Sequence, residues 1–428
     1  MIKKSISQRD LQSIWHPFTP QLNMQPPIAL VSGEGTLLFD DDGNAYIDAI
    51  SSWWVNLHGH SNKYISSKIA AQLKKLEHAI FSGFTHEPAV ELAERLLGHL
   101  PVMNKLFYSD DGSTSVEVAL KMAFQFWHNS DQIKPKIIAF ENAYHGDTFG
   151  AMSVGARNVF NLAFDKMLFD VIHIPVPING EEEKSFQAMD VALLDSNVAA
   201  FIFEPLVQGA GGMIMYEAAA LDQLLEKCKS KNILCIADEV MTGFGRTGKM
   251  FATDSCKIKP DIICLSKGLT GGFLPLGVTL CTEKIYAAFL SSDKYKTFFH
   301  GHSYTANPIA CTAALASLDL LEKENTWIRI NELKDSMDRA RAKFEKYVHV
   351  KQARCCGTIL AIEVRSNETT SYLNPLADTV NEFFIKRGVI LRPLGNIIYF
   401  LPPYCITEME FKKVIDSIDD FLVNLVEV

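Results

Sequence analysis

The chain has 428 residues, enough for two or three domains with sizeable cores, and at 48% hydrophobic and 21% charged it has a globular profile, not that of a disordered chain. Its formal net charge of −9 opposes what a duplex-binding face needs, so no nucleic-acid partner is expected. No apolar run spans a bilayer and no signal-type segment opens the sequence, so no membrane partner and a cytoplasmic location are expected; the nine cysteines, an odd number without a Cys-x-x-Cys pair, fit free thiols in a reducing compartment.

From Val31 the stretch VSGEGTLLFDDDGNAYIDAISS alternates short β-type runs around Gly33-Glu34-Gly35 and Asp42-Gly43, which predicts a hairpin or meander. Asp40, Asp41 and Asp42 miss the spacing of a calcium loop and read as turn acids. Helical spacing of apolar residues predicts helices over Tyr64 to Leu76 and Pro88 to Leu100. The middle of the chain carries continuous apolar runs at 136–140, 171–176, 199–205, 233–240, 261–266 and 276–280, with helical stretches such as Ala218 to Ser230 between them. Such runs predict strands buried on both faces of a mainly parallel α/β sheet. After Asn307-Pro308 a long helical stretch runs through Lys346. Short strands at 358–364 and 397–403 then flank a helix near Leu376 to Arg387, an α+β ending. With no Gly/Ser linker in the sequence, the lobes are expected to pack tightly, with the amino-terminal hairpin joining the carboxyl-terminal lobe. The expected division is 1–58 for that amino-terminal segment, 59–308 for the large domain and 309–428 for the small one.

Ligands of open α/β sheets bind beyond the carboxyl ends of the strands, so polar residues placed there carry weight. One apolar run delivers Asp238-Glu239, and a buried acid there needs a positive partner. Another delivers Ser266-Lys267-Gly268; a lysine among small residues at the end of a buried strand is partly desolvated, which lowers its pKa and makes the amine nucleophilic. Gly112-Ser113 open a helix whose apolar face runs through Val116, Leu120, Ala123 and Trp127, a start suited to a phosphate and equally to ordinary capping. Tyr144, after the run at 136–140, places a ring where a planar ligand can stack. Gly243 to Lys249 fits G-x-x-x-x-G-K, but Met250 lacks the magnesium-binding hydroxyl and no long helix follows, so a nucleotide-binding module is only a distant alternative. No metal site is expected.

Phosphate site, ring stacker, buried acid and Schiff-base lysine together make the kit for pyridoxal phosphate, in which an acid keeps the pyridinium nitrogen protonated. The order Gly112-Ser113, Tyr144, Asp238, Lys267 and the run GFGRTGK resemble the class III aminotransferases of fold-type I. IWHPFT (14–19), SSWWVNLHGH (51–60), NAYHGDTFGAMS (142–153), EPLVQGAGGM (204–213), HGHSYTANP (300–308) and LRPLGNIIYFLPPY (391–404) resemble the biotin-pathway branch of that family. The resemblance implies a large domain with a mainly parallel seven-stranded sheet plus a smaller α+β domain. It also implies transamination of 8-amino-7-oxononanoate to 7,8-diaminononanoate by a homodimer with active sites at the subunit interface. Lys267 would be the catalytic lysine, Asp238 would face the pyridine nitrogen and Tyr144 would stack on the ring. Gly112 and Ser113 would hold the phosphate, with Ser303 from the neighbouring subunit. Trp53 and Trp54 would wall the substrate tunnel, Arg392 would take the substrate carboxylate, and Phe18 and Gly301 would complete the substrate site. Phe18 departs from the pattern: the adenosylmethionine-using members carry Tyr there, so a hydroxyl is missing and lysine stays open as the amino donor beside S-adenosylmethionine. Other open readings are an ω-aminotransferase acting on another amine, and a racemase or aminomutase.

Overall fold

The computed structural model describes residues 4–22, 24–366, 368 and 370–425. A seven-stranded sheet forms its centre, made in chain order of β1 (Lys105–Ser109), β2 (Lys136–Phe140), β3 (Val171–Ile174), β4 (Val198–Phe203), β5 (Leu234–Asp238), β6 (Ile262–Leu265) and β7 (Gly277–Cys281). They lie side by side as β1-β7-β6-β5-β4-β2-β3. Only β7 is antiparallel to its neighbours, so the sheet is mainly parallel, as expected. Every residue of β4, β5, β6 and β7 is buried, because helices cover both faces and leave no position where a polar side chain would meet water. The run at 233–240 shortens to β5 because the chain turns at Glu239, where Asp238 Oδ1 accepts the Val240 amide at 3.0 Å.

The amino-terminal strands Leu30–Glu34, Leu37–Asp40 and Ala45–Asp48 form an antiparallel meander, and Val389–Ile390 adds to its edge in parallel, Val389 opposite Ile47. Asp40 acts as a turn acid, accepting the amides of Asp42 and Asn44 at 3.1 and 2.7 Å. A third sheet joins Val350–Cys356, Ile359–Val364 and Ile397–Phe400. The single long helical stretch expected after Pro308 is instead two helices, Pro308–Leu321 and Glu324–Phe344, broken where Lys323 turns extended. Among the described residues all nine cysteines are unpaired, and no helix is long and apolar enough to cross a membrane.

Candidate active site

The ends of β1, β2, β5 and β6 converge on a cavity of about 450 Å³ lined by Gly112, Ser113, Tyr144, Asp238, Lys267 and Trp54. Parallel strands bring their carboxyl ends to one edge, so residues far apart in sequence meet there. Asp238 is buried, and its Oδ2 accepts from His145 Nδ1 at 2.7 Å. His145 Nε2 is itself buried and has no partner among the described residues. Lys267 begins a short 3₁₀ turn after β6 with φ of 44°, a left-handed conformation that strains a residue with a side chain. Its Nζ sits 4.2 Å from the centre of the Trp54 ring. Burial pulls the amine down to about 8, opposed by the charges of Asp238 and Glu204 and aided by Arg246. Glu204, at the end of β4, accepts the amides of Tyr144 at 3.1 Å and Gly209 at 2.8 Å, and burial pushes its carboxyl up to about 7.

The helix Gly112–Asn129 starts under a capping box in which Asp111 accepts the Thr114 amide at 2.8 Å, while Gly112 and Ser113 line the cavity. The side chains packed around them leave no room for extra atoms. A Cβ on Gly112 would lie 2.6 Å from Val240 Cγ1, and one on Gly146, whose φ is 127°, would lie 2.3 Å from Ser113 Oγ. Ser113 Oγ is fixed by Thr148, through its hydroxyl at 2.7 Å and its amide at 3.0 Å. A helix start with small residues, a buried acid and a lysine of lowered pKa form a donor set that fits pyridoxal phosphate: positive dipole for the phosphate, anion for the ring nitrogen, amine for the aldehyde.

Lys267 and Trp54 also border a second cavity of about 380 Å³, walled by Phe18, Trp53, Phe160 and Tyr372 and reached by Arg392. Phe18 meets the edges of Trp53 and Phe160 at 5.5 and 5.9 Å, and Phe160 meets Tyr372 at 4.8 Å. The Arg392 guanidinium lies 4.8 Å over Trp53, and among the described residues no carboxylate pairs with it. The tryptophans ride on a left-handed turn, with φ of 53°, 47°, 71° and 76° from Ser51 to Trp54. Asp48 holds that turn through the Ser52 amide at 2.9 Å and hydroxyl at 2.8 Å.

Gly301 and Ser303 do not join this group. They sit on an exposed loop outside both cavities, where the Ser303 carbonyl accepts from His78 Nε2. GFGRTGK does not open a helix: Gly245 and Gly248 have φ of 98° and 86°, and the buried Arg246 donates to the carbonyls of Pro402 at 2.9 Å and Asn56 at 3.0 Å. The sequence reading missed Val240, Phe160 and Tyr372 as lining residues and gave no role to His145 and Glu204. His145 sits beside Tyr144 after β2 and Glu204 ends β4, so the strand-end rule that found Asp238 could have found both.

A sequence profile of the class III aminotransferases, "Aminotransferase class-III", matches residues 19–422. The adenosylmethionine-8-amino-7-oxononanoate aminotransferase of Synechococcus elongatus is 49% identical to this chain, over 96% of it and 98% of the relative. The crystal structure of the enzyme of that name from Methanocaldococcus jannaschii superposes with a TM-score of 0.93 at 36% identity, covering 98% of this chain and 99% of the other. An amine transaminase from an uncultivated Pseudomonas species, solved in its PLP-bound form, gives 0.89 at 31% identity over 96% and 98%. The chain belongs to the class III aminotransferase family, whose members are pyridoxal-phosphate enzymes.

Proposed function

We propose that this aminotransferase converts 8-amino-7-oxononanoate to 7,8-diaminononanoate, with S-adenosylmethionine as amino donor. The observation that carries the reading is the second cavity: an aromatic chamber with the reactive lysine at one end and, at the other, an arginine that meets no carboxylate among the described residues, shaped for a long apolar chain bearing an amine or ketone and a carboxylate. Relatives similar over nearly the whole chain bear the name of that reaction. Bound pyridoxal phosphate supplies the electron sink that lets an amino group leave one substrate and join another.

The chain's own groups do the rest. Gly112 and Ser113 would hold the phosphate, Asp238, oriented by His145, would take the ring nitrogen, and Tyr144 and Val240 would pack on the ring. Lys267 Nζ would be the amine that holds the cofactor's aldehyde, and as a free base it would take and return the proton at the substrate's reacting carbon. Trp53 and Trp54 exclude water along the chamber, while Arg392 grips the carboxylate with two parallel N–H donors. Ser303 and Gly301 serve the site of a second copy in a homodimer, a reading supported by exposed Trp15, Phe84, Phe299 and Tyr304. We read residues 1–58 as joining the small domain, 59–308 as the cofactor domain and 309–428 as the small domain, in a protein working in the cytoplasm where its free thiols stay reduced.

Phe18 favours a second reading of the donor. Its ring brings no hydroxyl to the chamber, so lysine replaces S-adenosylmethionine if the donor's polar groups need that contact. The test is the visible spectrum of the purified protein after each donor is added separately, followed by assay of diamine formation. Loss of the cofactor band with S-adenosylmethionine alone supports the first reading, and loss with lysine alone supports the second. A band that responds to neither donor, or a Lys267→Ala variant turning over near the wild-type rate, ends both.

A further inference from the structure

Tyr372 is absent from every motif that led to the site, yet it lies at the arginine end of the chamber. Its Oη accepts from Arg392 Nη2 at 3.1 Å, and its ring packs on Phe160 with centres 4.8 Å apart. Accepting from Arg392 leaves the phenol's own proton without an acceptor among the described residues. The loop that carries it is fixed from two sides. Thr370 donates to Glu363 Oε1 at 2.9 Å, and Glu363 is anchored by Lys351 at 2.7 Å and Arg354 at 2.9 Å. The Ser371 carbonyl rests on Gly395, whose φ is 60°, so closely that a Cβ there would lie 1.7 Å from it. Arg354 also donates to the Met213 carbonyl at 2.7 Å, tying the loop through Ala210, another lining residue of the chamber, to the same Glu363. The loop that carries Tyr372 is therefore tethered at Thr370 to the ion pairs of the buried Glu363 and at Ser371 against Gly395.

We propose that Tyr372 is a specificity-determining residue that completes the carboxylate subsite: Arg392 supplies the charge, and the Tyr372 hydroxyl, held by Arg392 on one lone pair, donates its proton to the ligand's carboxylate. The inference rests on the reading that Arg392 receives that carboxylate. It makes the arginine end selective for an anion with two acceptor oxygens over a neutral group of the same shape.

The test compares nonanoate with nonanamide as competitive inhibitors of the cofactor-loaded enzyme and of its Tyr372→Phe variant, a change that keeps the ring on Phe160. Melting temperature and cofactor absorbance report that the variant is folded and loaded. The wild type is expected to bind nonanoate at least tenfold more tightly than nonanamide. In Tyr372→Phe that preference is expected to fall by about tenfold, through weaker nonanoate binding with nonanamide unchanged, and KM for the oxo acid is expected to rise much more than kcat falls. A wild type without the preference overturns the Arg392 reading and the inference with it. A wild type that has the preference and a variant that keeps it overturn the inference alone.

Discussion

The lowered pKa of Lys267 gives a prediction that reaches the chemistry directly. An ordinary lysine of pKa 10.5 is uncharged in only about 0.03% of molecules at pH 7, whereas an amine at about 8 is uncharged in about 9%, roughly a 300-fold gain in nucleophile. The first cause is desolvation, and the Trp54 ring packs over Nζ at 4.2 Å. Trp54→Ala admits water and moves the amine back toward 10.5, each unit of that return costing about tenfold in uncharged amine at pH 7. The sign follows from the protonated form being the one desolvation penalises: the loss is full below pH 8 and vanishes above pH 10.5, where both proteins carry the free base. The assay is the rate at which apoprotein captures pyridoxal phosphate, read by absorbance from pH 6 to 11. The wild-type rate is expected to rise with a midpoint near 8, and that of Trp54→Ala with a higher midpoint that closes the gap at alkaline pH. A wild-type midpoint near 10.5, or a Trp54→Ala rate lower by the same factor at every pH, refutes the desolvation argument.

Gly146→Ala forces a side chain onto Ser113 Oγ at a backbone angle that L-residues avoid, and at least a tenfold weaker hold on pyridoxal phosphate is expected in an equilibrium titration. Asp48→Ala removes the acceptor of the Ser52 amide, the Ser52 hydroxyl and His60 Nε2; a loss of about 3 kcal/mol is expected in denaturant unfolding, and an unchanged midpoint counts against Asp48 as the anchor of the turn. Phe18→Tyr returns a hydroxyl to the chamber and is expected to raise kcat/KM for S-adenosylmethionine by roughly threefold to tenfold; a decrease shows that the packing of Phe18 on Trp53 matters more than the missing hydroxyl.

The parallel sheet was legible because its signal is local: β4 to β6 are continuous apolar runs, and burial on both faces admits little else. Asp238 and Lys267 followed from the rule that such strands deliver ligands at their carboxyl ends. Val350–Cys356 escaped because its exposed Lys351 and Gln352 interrupt the apolar pattern while pairing with Ile359–Val364 supplies the stabilisation. The helix Glu408–Val423 carried a readable start, Thr407 with Glu410, that went unused. Phe160 and Tyr372 were beyond reach for another reason. They stand in irregular segments, and only the tertiary fold brings them within 4.8 Å of each other. They are 212 residues apart in the chain, a pairing that no local spacing encodes.

The Trp53-Trp54 turn shows why the site's geometry resists local reading. A left-handed conformation costs an L-residue about 1–2 kcal/mol, so the run from Ser51 to Trp54 stores roughly 4–8 kcal/mol, comparable to the stability of a small domain. No propensity favours it, and it exists only because the surroundings fix it. Asp48 takes the Ser52 amide, Ser51 Oγ donates to the Leu401 carbonyl at 2.7 Å, and Arg246 donates to the Asn56 carbonyl just beyond. Those anchors come from the amino-terminal strand Ala45–Asp48, the carboxyl-terminal segment and the loop after β5, so the turn forms only once all three have assembled. The strain sends neighbouring rings to different tasks, Trp54 over the Lys267 amine and Trp53 beneath the Arg392 guanidinium. A relaxed turn would lose one contact or the other, which makes the strained backbone the link between the lysine end of the chamber and its arginine end.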